Sequence, residues 1–422
     1  MTSENMFLKE HQLMSRRYFQ RLGLSLAGYG IFQNEKIQAA QSRKAISPDP
    51  RKAGAIADPY FTPPGAFQDV SRGNPVPHKL PREKWAEAGL TRDSWRLEVI
   101  SDPENPARLL NERSLVKQNA IDFTELMKIA ETKAVKFAKV MTCLNMGCPL
   151  GMGLWEGVPL REIVWMTRPR ENLRRVFFHG FHNNDAKQLF QSSLPIGRVL
   201  EDPAGLPPVI LCYKLNGQWL DIVRGGPVRM VVPEAYGFKS IKWLNQIVLT
   251  NLPHANDTYA NQNNDIDSPL KTFAASLQVP VEMKSGEMIP VSGYAQVGVS
   301  GLKKVQVAID PADRKWPDDD PYFKSASWLD AEILPPPEKW NVLETDVLLS
   351  STFGFSAKGR PQMWPMKLTN AHWAAVIPPQ KPGEYHFRCR TIDENDLAQP
   401  MPRPFRKSGH AAIETLSIRI VA

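Results

Sequence analysis

The sequence is poor in cysteine and lacks the short motifs that cysteine usually forms. Its four cysteines, Cys143, Cys148, Cys212 and Cys389, include no Cys-x-x-Cys pair. Such pairs supply ligands to most structural zinc sites, and disulfide-rich domains have a higher cysteine density than this. The haem-attachment motif Cys-x-x-Cys-His is absent as well. We therefore predict no structural zinc site, no disulfide framework and no covalently attached haem.

The sequence also lacks long apolar runs and basic runs. No stretch is both long and apolar enough to cross a bilayer, and no basic stretch of about five to eight residues, typical of nucleic-acid binding, occurs. Lys and Arg total 52 against 44 Asp and Glu, which gives a formal charge of +8, but these residues are dispersed. We expect no stable membrane insertion and no nucleic-acid partner. A positive cavity that binds anionic ligands explains the excess charge better.

What the sequence does contain favours a strand-rich protein of several domains. Its 422 residues are enough for two or three domains. The 37 prolines favour strands, turns and extended connections over long helices.

The N-terminal residues are typical of an exported protein. Ser15, Arg16 and Arg17 precede an aromatic pair and then a short, weakly apolar stretch over residues 22–32. This pattern resembles the twin-arginine export motif, which directs folded, cofactor-loaded proteins to the periplasm. We predict a signal peptide over residues 1–40, with cleavage near Ala39 or Ala40, and an extended arm over residues 41–70.

The remaining chain divides into two regions with different secondary-structure signals. In residues 71–267, strand-like alternation over residues 94–100 is followed by short helix signals. Asp122 with Glu125 forms a capping-box pattern, residues 159–166 suggest a second helix, and Asn216-Gly217 predicts a two-residue hairpin. In residues 268–422, short alternating runs separated by turns are typical of an antiparallel β-sandwich. These runs cover residues 289–295, 304–309, 345–349, 372–377, 385–391 and 413–421.

Cys143 is the strongest single candidate for chemistry. It follows an apolar run over residues 135–141, so we expect it at the end of a strand, and a Trp-x-Gly-Val-Pro-Leu segment follows from Trp155. Thiolates suit soft, redox-active metals. Residues 193–244 add an ordered set of motifs around Ser193, Gly225-Gly226-Pro227 and Lys242-Trp243.

Together these motifs resemble the sulfite oxidase family of molybdenum enzymes. The resemblance covers roughly residues 70–420. It implies an α+β fold with a mixed molybdopterin-binding catalytic domain over residues 71–267. An immunoglobulin-like β-sandwich over residues 268–422 would mediate homodimerisation.

The resemblance also implies a molybdenum-molybdopterin cofactor and a set of residues that hold it. Cys143 is implied as the metal ligand. Arg229 and Lys242 match the family's contacts to the pterin phosphate, and Ser193 matches a serine that also contacts the cofactor. Ser240 lies in the same ordered set of motifs. Either His182 or Asp185 occupies the place of an acidic cofactor contact.

Several positions depart from the family pattern. Cys143 is followed by Leu-Asn-Met-Gly-Cys-Pro and so lacks the usual basic residue, and Arg224 replaces a histidine that contacts phosphate. The usual Asp-Tyr-Lys step is absent, and Tyr259 is the candidate for its catalytic tyrosine. Arg72 begins the nearest match to a missing Arg-Asn-His step. Cys148 is interpreted as a packed thiol, with a disulfide partner or pocket residue as alternatives.

The resemblance implies oxidation of sulfite or a related sulfur oxyanion to sulfate. Because no haem motif is present, the electrons would pass to an external acceptor, a c-type cytochrome. A molybdopterin-dependent sulfoxide reductase is the alternative, although those enzymes usually lack the C-terminal sandwich. A third interpretation is a binding protein that keeps the fold but has lost catalysis.

Overall fold

The computed structural model describes residues 60–422 except 268, 339, 341–348 and 410. The predicted signal peptide and most of the predicted arm lie outside the described residues. We call residues 60–267 the N-terminal unit and the described residues of 269–422 the C-terminal unit.

Helices in the described part are few and short. They are α1 (Glu83–Glu87), α2 (Phe123–Lys133), α3 (Leu160–Met166) and α4 (Ile196–Leu200). Single 3-10 turns cover Pro64–Ala66, Pro77–Lys79, Ala186–Gln188, Gly237–Lys239 and Ala260–Gln262. No helix among the described residues has the length and apolar character that a membrane span requires.

Strands make up most of the fold. In the N-terminal unit they are β1 (Arg96–Ser101), β2 (Ile121–Asp122), β3 (Val135–Thr142), β4 (Pro149–Pro159), β5 (Arg175–Gly180), β6 (Gln191–Pro195), β7 (Ile210–Leu215), β8 (Gln218–Trp219), β9 (Arg229–Val231) and β10 (Leu244–Thr250). In the C-terminal unit they are β11 (Phe273–Gln278), β12 (Glu282–Lys284), β13 (Ile289–Gln296), β14 (Lys304–Pro311), β15 (Leu329–Ile333), β16 (Asn370–Ile377), β17 (Gly383–Ile392) and β18 (Glu414–Val421).

Two five-stranded sheets build the N-terminal unit. One has the order β2-β1-β10-β5-β6, with β1 and β10 parallel. The other has the order β3-β4-β7-β8, with β9 paired to β7. Apolar residues of both sheets, including Val99, Val158, Phe178 and Leu211, belong to one buried cluster. This shared core fixes the sheets against each other and so positions the loops at their ends.

Local sequence signals account for several elements of this unit. The Asp122 side chain accepts a hydrogen bond from the backbone N–H of Glu125, which caps α2 as predicted. The predicted hairpin forms between β7 and β8, and both Asn216 and Gly217 adopt positive φ values of 54° and 81°. A tight two-residue turn requires this left-handed backbone, which Asn and Gly tolerate best.

An eight-stranded sheet builds the C-terminal unit, in the order β11-β13-β16-β15-β14-β17-β18-β12. Strand β15 pairs with both β14 and β16 and so joins two halves. Apolar residues from both halves, such as Trp373 of β16 and Phe387 of β17, share one core cluster. Five of the six predicted runs coincide with β13, β14, β16, β17 and β18. The run 345–349 lies outside the described residues except for Leu349, and the immunoglobulin-like topology stays a prediction.

The two units make direct contact along β3. The backbone N–H of Val140 donates to the carbonyl of Leu368 at 2.7 Å, and that of Phe353 donates to the carbonyl of Lys136 at 2.8 Å. Oδ1 of Asp265 in the N-terminal unit accepts a hydrogen bond from Nη2 of Arg403 at 3.1 Å. The strand that ends beside Cys143 is therefore paired on one edge with β4 and contacted on the other by the C-terminal unit.

Candidate active site

Cys143 is the first residue after β3 and begins the loop that leads into β4. The loop is held closed by two backbone bonds, from Cys143 N to Cys148 O at 3.2 Å and from Gly147 N to Cys143 O at 2.8 Å. Burial raises the pKa of the Cys143 thiol, while Arg72 and Lys407 oppose that rise. These two cations therefore lie where they favour a thiolate.

A cavity that is partly open to solvent lies beside Cys143. Seven of the nine predicted site residues line it: Cys143, His182, Arg224, Arg229, Ser240, Lys242 and Tyr259. They come from distant parts of the sequence, and the sheets bring them to one place.

Arg229 is the most deeply buried cation of the cavity. Its Nη2 donates to the carbonyl of Ser240 at 2.5 Å and its Nη1 to the carbonyl of Arg224 at 2.9 Å. Its Nε is buried and has no hydrogen-bond partner in the described part of the chain. Burial lowers the pKa of Arg229 to about 10, because no solvent offsets the cost of its charge.

Lys242 lies at the same end of the cavity as Arg229. Its ammonium group donates to Asp69, Ser71 and the carbonyl of Val223, each at 2.7 Å. Burial and the neighbouring Arg229 lower its pKa to about 8, although Asp69 opposes this. A cation whose pKa is lowered by burial and by other cations is stabilised by a bound anion.

Close packing of glycine fixes the position of the Lys242 segment. A Cβ atom on Gly180, at the end of β5, would lie 1.9 Å from the carbonyl oxygen of Lys242. Only a residue without a side chain allows this approach of two backbones.

These residues fit a phosphate-bearing cofactor. Three cations, Arg224, Arg229 and Lys242, line the same cavity as Cys143. An anionic group bound there would accept hydrogen bonds from donors such as the unpartnered Nε of Arg229 and would offset the buried positive charge. The donor set therefore matches a ligand with a phosphate at one point and a thiolate-binding metal at another.

Tyr259 faces the loop that contains Cys143. Its hydroxyl donates to Oδ1 of Asn145 at 3.3 Å, and its ring stacks on Phe238 with 4.1 Å between centroids. Burial raises the pKa of Tyr259 to about 12, so the phenol keeps its proton at neutral pH. It can serve there as a hydrogen-bond donor.

Arg72 is a lining residue that the sequence indicated only as part of an imperfect motif. Its guanidinium lies over the ring of Phe190, 4.1 Å from the centroid, and is exposed at the edge of the cavity. Burial raises the pKa of both Cys143 and Tyr259, and the charge of Arg72 opposes that rise. No spacing rule could have identified Arg72 as a neighbour of these residues, since it lies far from both in sequence.

The two remaining predicted residues lie outside the cavity lining. Ser193 is fully buried, and its hydroxyl donates to Oδ2 of Asp257 at 2.8 Å. The other oxygen of Asp257 accepts from the backbone N–H groups of Tyr259 and Ala260, both at 3.1 Å. Ser193 therefore connects to the turn that contains Tyr259.

His182 and Asp185 are now distinguished by position. His182 lines the cavity, and its Nδ1 lies 3.2 Å from the carbonyl of Gly180. Asp185 instead caps the turn Ala186–Gln188 and accepts from the side chain of Gln188, which does line the cavity.

Ser240 has a structural partner as well as its place in the lining. Its Oγ accepts from the backbone N–H of Val232 at 3.2 Å, while its carbonyl accepts from Arg229. Ser240 thus joins the cavity wall to Val232, the buried core residue that follows β9.

Comparisons with known proteins agree with this chemistry. Residues 84–258 match the oxidoreductase molybdopterin binding domain family. The mitochondrial sulfite oxidase of Rattus norvegicus is 27% identical over 276 residues, which are 59% of this chain and 49% of the relative. The nitrate reductase [NADPH] of Pichia angusta is 25% identical over 205 residues, 48% of this chain and 22% of the relative. The chain thus spans about half the length, or less, of these relatives.

A solved structure shows a similar fold. The sulfane dehydrogenase SoxCD of Paracoccus pantotrophus superposes with a TM-score of 0.55, over 78% of this chain and 77% of that chain, at 16% sequence identity. The domain match and the sulfite oxidase relatives together show a molybdopterin-dependent oxidoreductase related to the sulfite oxidase family, and the solved structure shows the similarity of the fold alone.

Proposed function

We propose that this oxidoreductase oxidises a small sulfur oxyanion, with sulfite as the leading substrate, and passes the electrons to a separate acceptor such as a c-type cytochrome. The observation that supports this most directly is the meeting of Cys143, Tyr259 and Arg72 at one cavity. A metal-ligating thiol, a neutral hydrogen-bond donor and an exposed cation are what such a reaction requires from the protein.

In this proposal the cavity residues divide into cofactor holders and substrate holders. Cys143 provides the thiolate ligand. Arg224, Arg229, Ser240, Lys242 and His182 bind the phosphate and pterin portions, and Ser193 and Asp185 support them from behind the lining. When bound, the cofactor supplies a metal that takes up two electrons and exchanges an oxygen atom.

Arg72 supplies positive charge for the substrate at the edge of the cavity, and the charge of Lys407 also acts on the thiol of Cys143. Both charges would stabilise a dianion bound beside Cys143. Tyr259 would donate a hydrogen bond to a substrate oxygen. In the overall reaction sulfite gains one oxygen from water and releases two electrons and two protons.

A reductase that acts on an oxidised substrate is the second candidate. Similarity to nitrate reductases favours it, as does the absence of a basic residue directly after Cys143. A sulfoxide is one substrate of this kind.

The decisive experiment measures sulfite-dependent reduction of ferricyanide together with molybdenum per chain, in protein produced by a host that makes molybdopterin. Turnover at about one metal per chain supports the proposal. The variant Cys143→Ser should lose turnover, whereas Cys148→Ser, which alters the other thiol of the same loop, should keep it. Metal-loaded protein that ignores sulfite but oxidises a reduced dye when a sulfoxide or nitrate is added would favour the second candidate.

We also propose a periplasmic location and a homodimer formed through the C-terminal unit. The pattern around Arg16 and Arg17 supports the first and the resemblance supports the second. Fractionation of wild-type protein and of the Arg16→Lys, Arg17→Lys double variant would test export, and light scattering would test the dimer.

A further inference from the structure

The C-terminal unit reaches the end of β3 through a side-chain pair as well as through backbone contacts. Thr142, the last residue of β3 and the neighbour of Cys143, donates its hydroxyl proton to Oε1 of Gln296 at 2.5 Å. Gln296 ends β13, between Phe273 of β11 and Asn370 of β16. The partner of Thr142 therefore lies in the interior of another sheet.

Both ends of the Gln296 amide are used. While Oε1 accepts from Thr142, Nε2 donates to the backbone carbonyl of Lys271 at 2.7 Å. Thr142 and Gln296 are both fully buried, at 0% exposure. A buried polar group that loses its partner pays its full desolvation cost, so this pair has one strongly favoured geometry.

Holding Thr142 in one geometry also restrains Cys143, the next residue in the chain. Metal–ligand distances tolerate only about 0.2 Å, and ligands are held by neighbours that fix their orientation. The loop from Cys143 to Cys148 is closed by two backbone bonds of its own. Tyr259 holds the middle of that loop through Asn145, and Thr142 is the point at which the C-terminal unit holds its start.

We propose that Gln296 is a positioning residue for Cys143: by holding Thr142, it fixes the direction from which the thiolate reaches the metal. The C-terminal unit is then part of the active-site architecture. This inference rests on the proposed ligand role of Cys143.

The test compares variants that remove the bond with matched variants that do not. Gln296→Leu and Thr142→Val remove it, from opposite sides, whereas Thr142→Ser keeps the hydroxyl. Gln399→Leu is the control, because Gln399 is also fully buried in the C-terminal unit. Its amide bonds to the backbones of Ala274, Thr391 and Ala412, none of which lies in β3.

Two readouts are needed. In cofactor-free protein, alkylation of Cys143 by iodoacetamide, followed by mass spectrometry, should be about tenfold faster in Gln296→Leu and Thr142→Val, as expected when local opening loses one buried hydrogen bond. Thr142→Ser and Gln399→Leu should match wild type. In loaded protein, the thiolate-to-molybdenum absorption band should shift in the first two variants only.

The proposal is overturned if Gln296→Leu and Thr142→Val behave as wild type, or if Gln399→Leu has the same effects. Cys143→Ser separates this failure from failure of the proposed function. If the absorption band persists without the Cys143 thiol, the ligand role is wrong; if the band needs Cys143 but does not respond to Gln296, only the positioning role is wrong. Should Gln296→Leu fail to fold, Thr142→Val still decides.

Discussion

The hydroxyl of Tyr259 donates a hydrogen bond to Oδ1 of Asn145 across 3.3 Å, and Asn145 lies two residues beyond Cys143 in the same loop. Tyr259 follows β10 and is more than 100 residues away from this loop in the sequence. The phenol is thereby held against the loop that contains Cys143, in the same cavity. It can serve a substrate bound beside Cys143 without leaving its stacked position on Phe238.

Tyr259→Phe should lower kcat about 10- to 100-fold, the range associated with loss of one positioned hydrogen-bonding or proton-transfer group. Steady-state kinetics with sulfite would measure this. Because the pKa of Tyr259 is raised to about 12, the wild-type rate should show no change from this phenol between pH 6 and pH 9. A kcat equal to wild type would remove Tyr259 from the reaction.

Arg72→Met should raise the KM for sulfite about tenfold or more, since a charge-assisted hydrogen bond to an anion is lost. Molybdenum content should not change, because Arg72 lies at the exposed edge of the cavity. Arg108→Met is the control: Arg108 is an exposed arginine that is not among the lining residues. Equal KM values for the two variants would contradict a substrate role for Arg72.

Arg229→Met should lower molybdenum and pterin occupancy at least about tenfold, since a buried cation facing a phosphate is removed. Cofactor-free Arg229→Met loses two hydrogen bonds to backbone carbonyls but also a buried charge without a carboxylate partner, so its urea midpoint should stay close to that of cofactor-free wild type. Arg229→Lys should be intermediate in occupancy, as it keeps charge but not the guanidinium geometry. Full occupancy in Arg229→Met would exclude a cofactor role.

Ser193→Ala tests whether this serine contacts the cofactor or supports the Tyr259 turn. The observed bond to Asp257 predicts that molybdenum content stays at the wild-type level and that kcat falls. The free energy of unfolding should fall by about 1–2 kcal/mol, because a buried carboxylate oxygen of Asp257 loses its hydrogen-bond donor. Ser192→Ala is the matched control, because the buried Oγ of Ser192 has no partner in the described part of the chain. A selective loss of molybdenum in Ser193→Ala would restore the direct cofactor contact.

Cofactor-free protein should become more stable as the pH rises from 7 to about 8.5. Burial lowers the pKa of Lys139 to about 7, and those of Lys242 and Lys271 to about 8, from an unfolded value of 10.5. In this range the unfolded chain binds more protons than the folded one, so the free energy of unfolding increases with pH. Urea titrations at several pH values would measure it.

Above about pH 9 the rise should become less steep. The thiols of Cys148 and Cys212 have pKa values raised by burial to about 12, so only the unfolded chain ionises them near their ordinary value of 9.0. Stability that falls between pH 7 and 8.5 would contradict the assignment of buried, partly neutral lysines. Replacing Lys139 with Met should reduce the increase in the free energy of unfolding between pH 7 and 8.5.

Local patterns in the sequence determined much of this protein. The cap at Asp122, the turn at Asn216-Gly217, the short helix after Pro159 and five of the C-terminal strands all depend on residues close in sequence. Cys143 stands at a strand end because an apolar run precedes it. The motifs around Arg229 and Lys242 also indicated the family, because several residues of one binding site occur there in a characteristic order along the chain.

Only the tertiary structure decided which side chains meet. Arg72 reaches the cavity from the segment before α1, Lys407 acts on Cys143 from the C-terminal unit, and Gln296 holds Thr142 from another sheet. It also turned Ser193 towards Asp257 and placed His182, rather than Asp185, in the cavity wall. These relations depend on how sheets pack and how loops close over long separations, and no periodicity or spacing within one segment encodes them.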